Sequence, residues 1–97
     1  MGAKAKEAAM GESEYINPMI YDVMKEIANF IDGAYIHWSA NAATKREADY
    51  WDKKSIDFMD EVMLVDPSDK RAVQAKVDEL AKIWKSLPRQ APKIDSL

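Results

Sequence analysis

The chain has no cysteine among its 97 residues, so it can form no disulfide, no thiolate nucleophile and no zinc site built on sulfur. Absence of cysteine suits a reducing compartment, and a cytoplasmic location is expected. Histidine is nearly absent too. His37 stands alone, and the inward Glu-x-x-His pairs of carboxylate-bridged metal bundles do not occur. Glycine appears only at Gly2, Gly11 and Gly33. None precedes a Lys-Ser or Lys-Thr pair, which excludes a glycine-rich phosphate loop. No run approaches the roughly 18 apolar residues of a membrane span. Residues 1–14 scatter their charges and lack the apolar centre of a secretory signal. Lys6 occupies the place where myristoylation at Gly2 needs Ser or Thr. No cofactor, metal, membrane or small-molecule substrate is therefore expected, and no catalytic residue.

What is present is a balance typical of a globular chain: 47% apolar and 32% charged residues with a net charge of −3. The length suits one domain. Charge is less even than its total. Residues 44–66 carry seven acids and four bases, and residues 67–97 carry seven bases and four acids. Complementary neighbouring segments are the simplest explanation.

Residues 1–13 are mostly Ala, Lys, Glu and Gly with little to bury, and they read as a flexible tail. A bundle domain is expected over 14–88, with an extended tail over 89–97 beyond Pro88. Asn17 followed by Pro18 predicts the first helix start. From there Met19, Ile20, Tyr21, Val23, Met24, Ile27, Ala28, Phe30, Ile31, Ala34, Tyr35 and Trp38 spread over roughly 200° of a helix. A surface helix needs about half that arc. The segment must be packed on two sides, by the rest of this chain or by another. Asp32-Gly33 is the place where this helix could bend.

Thr44 and Glu47 have the spacing of a capping box and predict a second helix start. Ala48, Trp51, Ser55, Phe58, Met59, Val62 and Met63 mark its inner face. Asp66-Pro67 predicts its end and the start of a third helix, with Asp66 as N-cap. That helix carries Val73, Val77, Leu80, Trp84 and Leu87, spaced four, three, four and three. The expected fold is all-α, a three-helix antiparallel bundle running up, down and up. In it Trp38, Trp51 and Trp84 would meet at one pole beside Tyr35. Met19, Met24, Met59 and Met63 would gather at the other, with Ile20 and Val62.

The methionine pole is the leading candidate site, because thioethers adapt to irregular partners. A helix cannot turn all of Val62, Met63, Leu64 and Val65 inward, and Leu64 points away from the stripe. Tyr15, Ile16, Met19, Met24, Met63 and Leu64 are the expected partner-binding residues, with Tyr15 and Ile16 as a cover. Other groups are weaker. His37 has no general-base partner on its own face. Glu47 and Asp49 on one side and Asp57, Asp60 and Glu61 on the other have Lys53 and Lys54 between them, as on a solvated face. Tyr50 beside Lys45 and Arg46 is a sparse version of a base-stacking patch.

A non-enzymatic helical interaction module is thus expected: an adaptor, accessory subunit, chaperone or inhibitor. It would dock onto a protein partner or form a homodimer through the methionine-rich face. One alternative is a nucleic-acid-associated module using Lys70, Arg71, Lys82, Lys85 and Arg89. Another comes from resemblance. Asp66-Pro67-Ser68-Asp69 ahead of a Val/Leu-striped helix with a late Trp84 resembles the second half of type III secretion needle subunits. Trp38-Ser39-Ala40 is similar to the Trp-x-Gly turn of small secreted helical-hairpin proteins, with Ala40 in place of the glycine. These similarities imply a small self-assembling protein of a secretion system.

Overall fold

The computed structural model describes residues 17–94. The expected tail over 1–13 and the cover residues Tyr15 and Ile16 lie outside them. Among the described residues there are three helices and no strand: α1 (Ile20–Ala40), α2 (Lys45–Met63) and α3 (Lys70–Ser86). The fold is an all-α three-helix bundle.

The starts of α2 and α3 follow from a side chain that accepts an otherwise unpaired N–H group. The N-cap of α1 is Met19, not Asn17 as the sequence suggests, and it makes no side-chain cap bond because Asn17 and Pro18 are taken up in the preceding turn. Asn17 takes the Met19 N–H on its Oδ1 at 2.8 Å and the Ile20 N–H on its carbonyl at 2.9 Å. Regular helix therefore begins just after the turn that Asn17 and Pro18 open. Thr44 Oγ1 accepts from the Glu47 N–H at 3.1 Å, as the capping pattern predicts. The third start differs from the sequence reading. Asp69, not Asp66, is the N-cap, accepting from the Ala72 N–H at 3.1 Å. Asp66 instead holds a turn, in which its Oδ1 accepts from Ser68 N–H and Oγ at 2.9 and 2.8 Å. Its carbonyl takes the Asp69 N–H at 3.0 Å, which puts Pro67 inside that turn. Those bonds pull the Asp66 carboxyl below its ordinary pKa, the backbone N–H of Ser68 contributing most.

α1 runs unbroken through Gly33. That glycine is exposed, and a Cβ built on it meets nothing within 4 Å. Helix-interior glycine costs about 1 kcal/mol relative to alanine. Gly33→Ala is therefore expected to stabilise the bundle by that amount and to raise the melting temperature by about 4–8 °C. A thermal melt followed by circular dichroism checks it; an unchanged or lower midpoint would contradict the packing around α1.

The arc of α1 is satisfied within the chain. Ile20, Met24, Ala28, Ile31, Tyr35 and Trp38 form its buried centre. α2 packs on one flank and α3 on the other, while α2 and α3 scarcely touch each other. On the first flank Ser55 donates to Asp32, and Ser39 Oγ donates to the Ala48 carbonyl at 3.1 Å and to Asp52. These pairs run in opposite order along the two helices, which fixes α1 and α2 as antiparallel. On the second flank Phe30 stacks on Trp84 with ring centroids 5.1 Å apart. Across the gap between α2 and α3, Lys76 Nζ bridges Glu61 and Glu79, both at 3.2 Å. Burial draws the Lys76 pKa down, but the hydrogen bonds and charges of both glutamates outweigh it and leave the pKa raised. This bridge is one instance of the charge complementarity expected between the acidic and basic segments.

The tryptophans correct the sequence reading. Trp38 and Trp51 meet at 4.8 Å, and Tyr35 stacks on Trp51 at 5.9 Å. Trp84 is not in this group; it lies against Phe30 and is 47% exposed. α3 sits displaced along α1 toward the opposite pole, and the chain after it fills the place. Leu87, Ala91 and Ile94 pack against the core. The tail beyond Pro88, expected simply to extend, is a strap across the aromatic pole.

Candidate functional site

The methionine pole separates into core and surface. Met24 has no exposed surface, so it cannot belong to a docking face while the bundle is folded; it is a central core residue. Its place follows from spacing, four residues after Ile20 and four before Ala28 on the α1 stripe. Met59 is partly buried against the core. Met63, expected on the inner face of α2, is instead 59% exposed. That inner face centres on Trp51, Ser55 and Val62, and Met63 lies one residue, or 100°, beyond Val62. Met19 is exposed at the start of α1, and Leu64 is 84% exposed just past the end of α2. Antiparallel pairing of α1 and α2 puts these three at the same end of the bundle. Tyr15 and Ile16 lie outside the described residues.

Two exposed isoleucines extend this surface, and the sequence reading missed both. Ile36 lies four residues from Asp32 and three from Ser39, the α1 residues that bond α2. It therefore stands beside the α1/α2 seam but is 54% exposed. Ile56 lies four residues from Asp52 and seven before Met63, and is 61% exposed. Both turn away from the core, so they share the outer side of one seam. An isoleucine alone on a polar face is the signal that could have found them. The outer side of the seam thus carries Ile36, Ile56 and Met63, with Met19 and Leu64 at its end. Two salt bridges lie along α2: Lys45 to Asp49 at 2.9 Å and Lys53 to Asp57 at 2.8 Å. The Lys45 and Lys53 pKa values are raised, mainly by those hydrogen bonds.

The opposite side of the bundle is concave. Because α2 and α3 do not close on each other, a cavity of about 300 Å³ opens between them, with Tyr35, Phe58, Leu80 and Ile83 in its walls. A second, of about 330 Å³, adjoins it at Tyr35, Lys54 and Ile83 and lies against Trp38, Tyr50, Trp51 and the strap. Tyr35 lines both. Burial, then the charge of Asp32, then Tyr50 hold its pKa above the ordinary value of 10.0. A folded-state pKa raised in this way stabilises the bundle fully below pH 10.0, and the stabilisation is lost as pH rises through the folded value. In an alkaline titration followed by phenolate absorbance, one tyrosine is expected to ionise late, together with loss of the near-ultraviolet tryptophan signal. Tyr35→Phe should remove that late step. If the step survives in Tyr35→Phe, another tyrosine is responsible.

The remaining candidates are dispersed. His37 is exposed, and Asn41 Nδ2 donates to its carbonyl at 2.9 Å. Asp32, five residues earlier on α1, is bonded to Ser55. Among the described residues no three His, Cys, Asp or Glu side chains are grouped so as to hold a metal. Arg71, Lys82 and Lys85 share the outer half of α3 with Asp78 between them, whereas Arg89 belongs to the strap and shares a hollow with Glu47 and Asn41. No described helix is long and apolar enough to cross a membrane. Comparison of the chain with protein-family models, curated proteins and solved structures finds no match.

Proposed function

We propose that this chain is a helical interaction module that docks through the outer side of the α1/α2 seam, and that its partner there is a second copy of itself. The observation that carries this reading is the set Met19, Ile36, Ile56, Met63 and Leu64. Each is more than half exposed on a bundle whose core is already closed. Large apolar side chains grouped on one face are what interaction sites present.

The dimensions suit a modest contact between two copies, below the standard size, of the kind that dissociates on dilution. Helices of 21 and 19 residues are roughly 30 Å long. A face two helices wide, about 20 Å, then offers on the order of 600 Å². A standard interface takes about 800 Å² from each partner. Two such faces laid together make a four-helix layer of a familiar kind. Charges on the same side include Lys25 and Lys45 as well as Asp49 and Asp60, so two copies need not repel each other. Any role as adaptor, accessory subunit or inhibitor would then belong to the dimer.

Light scattering across a tenfold dilution tests this. The expected result is a molar mass near twice that of the chain, falling toward the monomer on dilution. A mass equal to one chain throughout would overturn self-association.

A further inference from the structure

We propose that the cleft between α2 and α3 binds a small amphipathic acid, an unbranched alkyl chain lying along its apolar walls with the carboxylate on Lys54. The cleft is on the opposite side of the bundle from the outer α1/α2 seam, so this does not depend on self-association.

The apolar walls follow from the packing. α2 and α3 both lie on α1 and scarcely on each other, so side chains that a closed three-helix core would cover line an open space. These are Tyr35 from α1, Phe58 from α2, and Leu80 and Ile83 from α3. The volume, about 300 Å³, is at the lower end of the range for small-molecule sites. Its shape is elongated. On α2 the lining runs from Lys54 to Val62, eight residues or about 12 Å of helix. A space of that length and volume suits a chain rather than a compact ring system.

The charges around the cleft fix the head group and its direction. At the Val62 end, Glu61 and Glu79 already hold a cation, since Lys76 Nζ lies 3.2 Å from each. Asp57 is bonded to Lys53 at 2.8 Å. Lys54 is the exception: among the described residues it makes no ion pair and no hydrogen bond. It is also the one charged residue that lines both this cavity and the adjoining one. Four residues before it is Tyr50 and four after it is Phe58, each in the wall of one of the two cavities. Lys54 therefore stands on the face of α2 that looks into the cleft. A carboxylate placed there gains a charge-assisted hydrogen bond, and its chain runs along Phe58 and Leu80 toward Val62. An amine would meet the Lys54 ammonium at one end and carboxylates already taken by Lys76 at the other.

The test titrates decanoate into the full chain, below the concentration at which it forms micelles, and follows carbon-13 methyl spectra. The Leu80 and Ile83 methyl signals are expected to shift and saturate, while those of Ile36 and Ile56 on the seam hold still. Octanoate is shorter by two methylenes and should bind about tenfold more weakly. Lys54→Met keeps an unbranched side chain and removes the charge at an exposed position. It should weaken decanoate by about threefold to fivefold, the scale of an exposed ion pair, and leave the binding of neutral decanol unchanged. Equal losses for decanoate and decanol would mean that Lys54 acts on the shape of the cleft and not on the carboxylate. That result overturns the proposal, as does an unchanged decanoate affinity in Lys54→Met. Shifts at Ile36 and Ile56 in place of Leu80 and Ile83, or no saturable shift at all, overturn it as well.

Discussion

Aspartate at Ile56 and Leu64 together is expected to leave the helical circular dichroism of the chain intact while converting an associating protein into a monomer. Both side chains are mostly exposed, and neither belongs to the buried set of α2. Surface substitutions of that kind change folding stability by about 0.5 kcal/mol or less. Association is affected far more. A two-fold interface meets each substitution twice, and a carboxylate moved into an apolar contact without a partner costs about 1–3 kcal/mol on mutational scales. Four such groups raise the dissociation constant by at least about a hundredfold, since each 1.4 kcal/mol is a factor of ten. Sedimentation velocity on both proteins at matched concentration checks it. Unchanged association in the double variant would move the interface to another face, with the exposed Phe30–Trp84 pair as the next to test.

Met24→Ala is expected to have the largest effect on folding, and Met63→Ala almost none. Met24 has no exposed surface and lies at the centre of the cluster formed by α1 with Val62, Val73 and Val77. Truncating a buried methionine to alanine removes its transfer energy and leaves a cavity, about 2–5 kcal/mol in all. Total stability of such a domain is about 5–15 kcal/mol, so the loss should lower the melting temperature by at least about 10 °C. Met63 gives up mostly solvent contact and should change stability by about 0.5 kcal/mol or less. Paired urea titrations measure both. Equal losses at the two positions would mean that Met63 is buried in solution, which in a dimer would appear only at high concentration.

These two methionines mark what the sequence could and could not say. Met24 lies on the α1 stripe 20, 24, 28, 31, 35 and 38, which repeats at helical spacing, but Val23, Ile27, Phe30 and Ala34 repeat beside it, and packing shows that the first stripe is the buried centre. On α2 the run from Val62 to Val65 offers four apolar residues to one inward direction, and only packing shows that Val62 takes it. Leu64 was legible as outward from geometry alone. Asp66-Pro67-Ser68-Asp69 contains two aspartates that each suit a helix cap, and a proline that suits both a first helical position and a turn. Ser68 decides between them by bonding back to Asp66. Trp84 fits its own stripe, yet its neighbour depends on how far α3 slides along α1, which no periodicity encodes. Pro88 and Pro92 announced an extended tail but not the aromatic cleft on which it lies, since that cleft is built from α1 and α2. Periodicity does not reveal Ile36 and Ile56, since each stands alone among polar neighbours on its helix.

The central claim is that the outer side of the α1/α2 seam carries the contact between copies, and methionine methyl spectroscopy on the full chain addresses it directly. The chain has six methionines, and their carbon-13 methyl signals are few enough to assign one by one through single substitutions. On dilution, the Met63 signal is expected to move most, with Met19 following, while the buried Met24 stays fixed. Movement of Met63 that tracks the change in molar mass would establish the seam as the interface. A mass that changes while Met63 and Met19 hold still would contradict it.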